Sequence, residues 1–319
     1  MANGGAAFAG LIGRCPAMER LKCDLAMFGP REDVRVHVFG ETGTGKELVA
    51  KALHAASPRA SRPLVPVNVA GLSDDLLVSE LFGHARGAFT GAATDHEGYV
   101  AQAEGGTLLI DEVGDMSTVA QVRLLRFLEE GEYQRLGETT VRRADVRVVS
   151  ATNVDLQRRV RDRRFREDLW FRLKGERIHL PPLRERGDDV LLLARHFLHR
   201  QSAGRGETPP ALSREAEEAL LAHTWPGNVR ELQHEMLRAG VRASGRAVEL
   251  QDLSPELRER PPRRAGTLRD TVRRFETGII LDALERHHGN VARAAAELGM
   301  SRQALWDRIR RLRITAESA

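Results

Sequence analysis

Short apolar runs alternate with amphipathic segments in the first half of the chain, from Val34 to Ala151. The runs, rich in β-branched residues, predict strands at 34–39, 64–68, 107–111 and 146–151. Between them, apolar residues at helical spacing predict helices at 46–56, 74–82 and 117–130. This alternation predicts an α/β fold, a parallel sheet with helices on both faces, in which ligands bind at the carboxyl ends of the strands.

Only helical patterns follow Pro182, over 189–201, 213–223 and 228–243, so we expect a helical subdomain there. Residues 254–266 are charged and proline-bearing without periodic apolar positions, which is typical of a linker. The chain is therefore predicted to comprise a tail (1–10), an α/β subdomain (11–180), a helical subdomain (181–253), a linker (254–266) and a small all-α unit (267–319).

The composition limits the classes of protein that fit the chain. With 319 residues, 41% hydrophobic and 29% charged, it can form two domains and a small third, and it is too apolar for a disordered protein. No uncharged apolar stretch approaches the roughly 18 residues that cross a bilayer, and the N-terminus lacks a signal-peptide pattern. The two cysteines, Cys15 and Cys23, match neither a disulfide scaffold nor a zinc site. We expect a cytoplasmic protein without membrane insertion, and its net charge of +4 permits a nucleic-acid partner.

The segment Gly40–Lys46 follows the first predicted strand and opens a helix, the arrangement of a phosphate-binding loop. Its glycines let backbone N–H groups converge on phosphate oxygens, and Lys46 adds a point charge near the β and γ phosphates. The predicted nucleotide-binding residues here are Gly40, Glu41, Thr42, Gly43, Thr44, Gly45, Lys46 and Glu47. Because Glu47 stands where Ser or Thr would normally bind magnesium, more of the coordination is left to Asp111, phosphate oxygens and water.

Two adjacent carboxylates, Asp111 and Glu112, end the buried strand predicted over 107–111. We expect Asp111 to hold Mg²⁺, directly or through water, and Glu112 to polarise the attacking water. The alternative is a solvated turn at a strand end. Together with the phosphate-binding loop upstream, the pair favours ATP hydrolysis.

Between these two motifs, residues 80–92 closely resemble the bacterial enhancer-binding proteins, the AAA+ activators of sigma-54 RNA polymerase. The hexapeptide that matches the family's sigma-54-contacting loop is Gly87, Ala88, Phe89, Thr90, Gly91 and Ala92. Its glycines and small residues predict a mobile loop, and an exposed Phe89 on that loop would need a partner to cover it. The alternative is that Phe89 folds back into the core of its own chain.

The resemblance extends from Leu11 to the C-terminus and implies roles for further residues. It implies that Asn68 restrains Glu112 until nucleotide state and partner contact release it. Asn153 is similar to the residue called sensor I, near the γ-phosphate and the catalytic water. Arg230 is similar to sensor II, which meets the nucleotide from the helical lid.

The resemblance also implies contacts between subunits. Arg166 and Arg172 would reach the ATP of a neighbouring subunit, where such an arginine is worth roughly 10³–10⁵ in rate. Because further arginines crowd residues 158–164, the alternative for both is a solvated basic face. The adenine contacts would include the backbone near Ile12 and Gly13.

Residues 290–312 predict a helix, a tight turn and a second helix, with Ser301 as the cap of the second helix. This unit resembles the Fis-type helix-turn-helix that ends many such activators, and residues 271–287 would pair two protomers. The excess of arginine after Ser301 suits a phosphate-lined groove. The candidate DNA-binding residues are Ser301, Arg302, Gln303 and Arg308. The alternative is a small helical dimerisation or partner module.

We therefore expect an ATP-hydrolysing activator whose dimers bind upstream enhancer DNA and assemble into a ring, expected to be hexameric. Hydrolysis would move the 87–92 loops against sigma-54 RNA polymerase and open promoter DNA. One alternative is a DNA-binding regulator that uses ATP only to control oligomerisation, without sigma-54 remodelling. Another is a general AAA+ remodeller of proteins.

The short segment before Leu11 bears on regulation. Ten residues precede Leu11, whereas a sensory domain needs at least about 50. A complete chain would therefore be controlled by a separate protein in trans, by abundance or by contacts among protomers. A fragment would have lost its sensor, and the sequence does not choose between these.

Overall fold

The computed structural model of the protein describes residues 8, 10–204, 206–258, 268–287 and 290–312. The chain divides into two compact units, residues 1–258 and 259–319. Within the described residues, every helix is too short or too polar to span a lipid bilayer.

A sheet of five parallel strands organises the first unit, which confirms the predicted α/β class. The strands of this unit are β1 (Val36–Phe39), β2 (Leu64–Asn68), β3 (Thr107–Asp111), β4 (Glu132–Tyr133), β5 (Arg142–Arg143), β6 (Arg147–Thr152) and β7 (Glu176–His179). The order across the sheet is β2-β3-β6-β1-β7, and β4 and β5 form a separate antiparallel pair. Asn68 pairs in register with Asp111, and Phe39 with Thr152, so the loops that follow these strands meet at one edge.

Helices cover both faces of the sheet, as predicted. They are α1 (Pro16–Phe28), α2 (Lys46–Ala55), α3 (Asp74–Phe82), α4 (Gly98–Gln102), α5 (Thr118–Glu130), α6 (Leu156–Arg161) and α7 (Glu167–Leu173). On β3, Leu108 and Ile110 belong to the apolar core that contains residues of α3, α5 and α7, whereas Leu109 belongs to the core with α1 and α2. Because both faces of the strand are buried, its apolar run is uninterrupted.

The sequence prediction omits α1 and β7, and also the short elements α4, α6, α7, β4 and β5. Strand β7 lies at the edge of the sheet and buries only Ile178, so its residues show neither an apolar run nor alternation. Helix α1 does carry apolar residues at helical spacing, since Met18, Leu21 and Leu25 are all buried. The strong pairing of β7 with β1 is a tertiary property that its own sequence does not show.

A helical subdomain, here called the lid, completes the first unit. Its helices are α8 (Asp189–Ala203), α9 (Arg214–Ala222), α10 (Asn228–Ala243) and α11 (Pro255–Arg258). Trp225 is fully buried in the lid core, and its Nε1 donates to the Leu220 carbonyl at 2.9 Å. Ser213 begins α9, because its hydroxyl accepts a hydrogen bond from the N–H of Ala216 at 3.2 Å.

The interpretation of 254–266 as a linker is wrong for its first five residues. Ser254 donates from its N–H and its hydroxyl to the buried carboxylate of Glu235, at 2.6 and 2.5 Å. Leu257 of α11 packs into the lid core. A single apolar residue among charges shows no period, so these tertiary contacts leave no sequence signal. Residues 259–266 of the predicted linker lie outside the described residues.

The described residues of the second unit form three helices: α12 (Leu268–Arg286), α13 (Val291–Glu297) and α14 (Arg302–Leu312). Ala294 and Ala295 are buried against Leu305 and residues of α12, and their small side chains permit close helix crossing. Gly299 adopts φ +66° in the turn between α13 and α14, where a residue with a Cβ would be strained. The hydroxyl of Ser301 accepts from the N–H of Ala304 at 3.2 Å and so begins α14.

Candidate functional site

The loop between β1 and α2 has the conformation of a phosphate cradle. Gly43 and Gly45 adopt φ +77° and +107°, which only glycine adopts without strain. Such a conformation lets successive N–H groups face one anion. Lys46 begins α2 and is buried, with its Nζ 3.2 Å from the carbonyl oxygen of Gly40.

One surface pocket gathers most of the predicted nucleotide site. Its lining includes Thr42, Gly43, Gly45, Lys46, Glu47, Asn68, Asp111, Glu112, Asn153 and Arg230. These residues come from the loop, from the ends of β2, β3 and β6, and from the lid. The pocket therefore lies at the carboxyl edge of the sheet, where an open parallel sheet binds its ligands.

Glu112 occupies the centre of the polar contacts in this pocket. One carboxylate oxygen accepts from Lys46 Nζ at 3.1 Å, and the other accepts from the N–H of Asn153 at 3.0 Å. Its backbone has φ +56°, an unfavourable conformation for a residue with a side chain, which costs about 1–3 kcal/mol. Strain of this kind persists where surrounding contacts impose it, and here it fixes the direction of a carboxylate.

Asp111, the residue predicted to hold Mg²⁺, ends β3 and lines the pocket. Its pKa is raised chiefly because burial disfavours the charged form, and the nearby Lys46 opposes that effect. Among the described residues no group of three or more His, Cys, Asp or Glu could hold a metal unaided. A nucleotide-bound Mg²⁺ needs only one or two carboxylates besides phosphate oxygens and water, so the residues present fit it.

Two asparagines lie at the ends of β2 and β6, the strands on either side of β3. The side chain of Asn153 donates from Nδ2 to the hydroxyl of Thr42 at 2.8 Å, which links the end of β6 to the phosphate loop. Asn68 accepts from the N–H of Ala70 at 2.9 Å. In the described structure the carboxylate of Glu112 is held by Lys46 and Asn153, and Asn68 shares only the pocket with it.

The lid contacts the loop directly. The N–H of Arg230 donates to the carbonyl of Gly43 at 3.2 Å, and its side chain lines the pocket. Asn228, two residues earlier, donates to the carbonyl of Thr42 at 3.0 Å. Asn228 is not among the residues predicted from the sequence, although Pro-Gly-Asn indicates a tight turn that could present it.

Two arginines near residue 185 also reach the loop, where the sequence predicts only a junction between subdomains. Arg184 forms an ion pair with Glu41 at 2.5 Å, and Arg186 donates to the carbonyl of Thr44 at 3.0 Å. The Arg184 guanidinium, with help from Asn228, lowers the pKa of Glu41 to about 2.

The remaining predicted nucleotide contacts have structural partners. Thr44 is buried, with its hydroxyl donating to the carbonyl of Glu41 at 2.6 Å. Glu47 pairs with Lys51 one turn along α2, at 2.7 Å. Ile12 packs against the lid core, and the Gly13 carbonyl accepts from Lys22 Nζ at 2.6 Å. These last two residues are not among those that line the pocket.

The arginines predicted to act in trans lie outside the pocket of their own chain. The Arg166 guanidinium is exposed and pairs with Asp168 at 2.7 Å. Arg172 donates from Nε to the carbonyl of Leu128 at 3.2 Å.

The loop of residues 87–92 presents an aromatic side chain at the surface. Phe89 is 41% exposed, and its ring meets the edge of His84 with 5.0 Å between centroids. Gly87 and Gly91 have φ +81° and +106°, and Thr90 is exposed, whereas Ala92 is buried. Ala88 is half-buried. Phe89 therefore does not fold into the core of its own chain.

Three of the predicted DNA contacts are exposed at the start of α14, the second helix of the helix-turn-helix. They are Ser301, Arg302 and Gln303. Arg308, also exposed, instead forms an ion pair with Glu276 of α12. Sequence reasoning missed Trp306, a 48% exposed aromatic side chain on the same helix.

Family profiles cover nearly the whole chain. The sigma-54 interaction domain matches residues 11–179, the AAA+ ATPase lid domain matches 184–269, and the bacterial regulatory protein Fis family matches 271–312. The three matches follow the α/β subdomain, the lid and the terminal helices in order.

Individual relatives agree with the profiles. The chain is 43% identical over 304 residues to the transcriptional regulatory protein ZraR of Salmonella typhimurium, covering 95% of this chain and 68% of that protein. It is 42% identical over 305 residues to the regulatory protein AtoC of Escherichia coli, covering 92% and 66%. The crystal structure of NtrX from Brucella abortus in complex with ATP superposes with a TM-score of 0.73 at 32% identity, covering 95% of this chain and 70% of that one.

The exposed loop lies within the residues that match the sigma-54 interaction domain, and the helix-turn-helix lies within those that match the Fis family. The combination supports sigma-54-dependent regulation rather than a regulator that uses ATP only to control oligomerisation. The chain belongs to the sigma-54-dependent transcriptional activators, with a nucleotide-binding AAA+ P-loop domain, its lid and a Fis-type DNA-binding unit in one polypeptide.

Proposed function

We propose that ATP hydrolysis by this chain drives the 87–92 loop against sigma-54 RNA polymerase and so opens promoter DNA. The observation that carries the proposal is the exposed Phe89 at the tip of that loop. The base of the loop is joined to the AAA+ fold, because the N–H of Ala85 donates to the Leu136 carbonyl and that of Leu136 to the Gly83 carbonyl, both at 2.9 Å. A movement of the fold would therefore reach the tip.

The pocket supplies groups for phosphate hydrolysis. Lys46 and backbone N–H groups of the phosphate-binding loop would bind the phosphates, and Glu112 would orient and polarise the attacking water. Asp111 would hold Mg²⁺, which when bound neutralises charge on the phosphate oxygens. Asn153 would place the γ-phosphate, and Asn68 would restrain Glu112 once a nucleotide draws Lys46 away.

The lid and the N-terminal segment would bind the rest of the nucleotide. Arg230 already lines the pocket and its guanidinium can approach the phosphates from the lid side. Ile12 and Gly13 lie next to the lid, Ile12 against its core and Gly13 close to Asp189 of α8. Their backbone would contact the adenine.

The site is proposed to be completed by a second copy of the chain. Arg166 and Arg172 lie outside their own pocket and would stabilise the phosphoryl group held by the neighbour. Head-to-tail contacts of this kind close into a ring, which we propose to be hexameric. The ion pair of Arg166 with Asp168 would have to open when the ring forms.

The terminal unit would direct this ring to enhancer DNA. Ser301 would contact a phosphate, Arg302 and Gln303 would contact base edges in the major groove, and Arg308 would contact DNA after leaving Glu276. The segment 271–287 would pair two protomers, so that dimers bind two half-sites. We place this activity in the cytoplasm.

A purified-component assay tests the coupling. Closed complexes of sigma-54 RNA polymerase on a promoter with upstream sites are incubated with the full chain and either ATP or a non-hydrolysable analogue. Open complexes, detected by permanganate footprinting, should form only with ATP. Equal opening with the analogue would contradict the proposed mechanism.

A further inference from the structure

The peptide carbonyls of the phosphate-binding loop have their own set of hydrogen-bond donors. In a peptide the C=O and the N–H point to opposite sides, so a loop that turns its N–H groups towards an anion turns its carbonyls away from it. All five carbonyls from Gly40 to Thr44 accept a hydrogen bond. Those of Gly40 and Glu41 are satisfied within the motif, by Lys46 and Thr44.

The other three donors come from the lid and from the segment that leads into it. Asn228 Nδ2 donates to the Thr42 carbonyl at 3.0 Å, the Arg230 N–H to Gly43 at 3.2 Å, and Arg186 Nη2 to Thr44 at 3.0 Å. The approach is close, because a Cβ on Gly43 would lie 2.3 Å from the carbonyl oxygen of Gly227. Three of the five carbonyls are thus held by groups outside the motif.

Asn228 is held in a single orientation. It is fully buried and adopts φ +53°, a conformation that asparagine tolerates better than most residues. Its Oδ1 accepts from the N–H of Leu183 at 2.8 Å, and Nδ2 donates to Glu41 at 3.1 Å besides Thr42. Both polar atoms of the amide are therefore hydrogen-bonded, and the contact with the Leu183 N–H identifies Oδ1 as the acceptor and Nδ2 as the donor.

Arg186 is equally constrained. It is 3% exposed and its Nε donates to the Pro181 carbonyl at 2.9 Å while Nη2 reaches Thr44. Burying a guanidinium is unfavourable unless it is well bonded, and burial lowers the pKa of Arg186. A buried arginine whose bonds go to two backbone carbonyls is placed to hold backbone.

We propose that Asn228 and Arg186 are positioning residues for nucleotide binding, which hold the carbonyls of the phosphate loop from the lid side and keep its N–H groups available to phosphate. The loop can then adopt its binding conformation only with the lid in contact, so the lid and the loop move together. This inference rests on the proposed function, because it concerns the same nucleotide.

The sharpest variant is Asn228→Asp in the full chain. Aspartate has the same size, tolerates the left-handed backbone and keeps the acceptor for Leu183, but it loses both donors and places a carboxylate beside Glu41. Titration with a fluorescent ATP analogue should show a Kd raised at least about tenfold, since the Thr42 carbonyl loses its donor and two like charges meet. The KM for ATP should rise in parallel, and kcat should change less.

A second substitution tests the cause. In the Asn228→Asp background, Glu41→Gln removes the repulsion and offers an amide donor, so part of the lost affinity should return. Arg195→Gln is the matched control, because it breaks another ion pair of the lid, with Glu217 at 2.6 Å, and should leave the Kd unchanged. Arg184→Gln alone should change the Kd by less than about threefold, because its pair with Glu41 is exposed.

Two outcomes would overturn the inference. One is an unaltered Kd in Asn228→Asp, whether or not the melting temperature falls, because a purely structural role would lower stability alone. The other is a wild-type chain that binds no analogue, which would overturn the proposed function as well. Nucleotide affinity that depends on Asn228, together with failure to open promoter DNA, would count against the proposed function only.

Discussion

Glu112 and His37 both occupy positions that are unfavourable for their residue types: Glu112 has a left-handed backbone, and the ionisable ring of His37 is buried. Glu112 directly follows β3 in a left-handed conformation, where Lys46 and the Asn153 N–H hold its carboxylate. His37 lies in β1 with 1% of its surface exposed, and its Nδ1 is 2.8 Å from the hydroxyl of Ser150. The fold therefore determines the direction of the Glu112 carboxylate and the protonation of the His37 ring, which the residue types alone do not.

The burial of His37 predicts a pH dependence of stability. Burial, and secondarily the charge of Arg177, lower its pKa from 6.5 to about 4. The unfolded chain then binds more protons between these two values, so the free energy of unfolding should fall as pH decreases from about 6.5 towards 4. The loss is on the order of 3 kcal/mol if the full shift is realised.

Urea denaturation at a series of pH values measures this effect. The variant His37→Asn should be less stable at pH 7.5 but should lose less stability over the same pH interval. Identical slopes in the two proteins would show that His37 does not titrate on unfolding.

At the scale of elements, the segment 83–96 combines a held base with an exposed tip. The backbone of His84 pairs with that of His96, and Leu136 bonds to both sides of His84. Beyond this base, Thr90 and Phe89 are exposed. A substitution at the tip can thus alter what the loop contacts while the base keeps its backbone hydrogen bonds.

We expect Thr90→Ala to separate ATPase activity from open-complex formation. The exposed hydroxyl contributes little to folding, so ATPase activity should stay within about twofold of wild type. Open-complex formation should fall below detection, because the substitution alters the proposed polymerase contact. Thr208→Ala, at an exposed threonine of the lid, is the control and should retain both activities. Loss of ATPase activity in Thr90→Ala would argue against a role limited to coupling.

Helix α14 is the second element whose exposed side carries a prediction. Arg302→Ala should weaken binding to duplexes that the wild-type chain selects from a random pool by roughly 1–3 kcal/mol, the value of a good base contact. Arg214→Ala, an 87% exposed arginine of the lid, should not change affinity. If Arg302 contacts only a phosphate, the substitution will weaken binding to all duplexes alike. The slope of log affinity against log salt concentration will then fall by about 1.

At the scale of the whole molecule, the proposed site is shared between copies. The pocket holds Lys46, Glu112 and Arg230, whereas Arg166 lies outside it. A single chain would then bind nucleotide well and hydrolyse it poorly, and oligomerisation would control turnover.

Mixing two inactive variants tests this arrangement. Lys46→Ala removes phosphate binding, and Arg166→Ala should abolish hydrolysis while nucleotide still binds. In a random equal mixture about a quarter of the interfaces pair an intact Lys46 with an intact Arg166, so ATPase activity should reappear. Each variant alone at the same total concentration is the control. A mixture as inactive as its components would remove Arg166 from the neighbour's site.

The sequence by itself determined the features that local physics specifies. Apolar runs and helical spacing indicated β1, β2, β3, β6 and the lid helices α8, α9 and α10, because a strand or helix with a buried face shows a periodic pattern of apolar residues. The phosphate loop, Asp111 with Glu112, the 87–92 loop and the helix-turn-helix were recognisable because their chemistry needs neighbouring residues.

Only the tertiary structure decided which distant groups meet. The donors behind the phosphate loop, Asn228 and Arg186, lie more than 140 positions from the carbonyls they hold. Glu235 accepts a hydrogen bond from Ser254, in a segment whose sequence is typical of a linker. Glu276 forms an ion pair with Arg308, which was predicted to contact DNA. A buried polar group can be satisfied by any donor that the fold brings near, so its partner is a property of the packed chain and not of the local sequence.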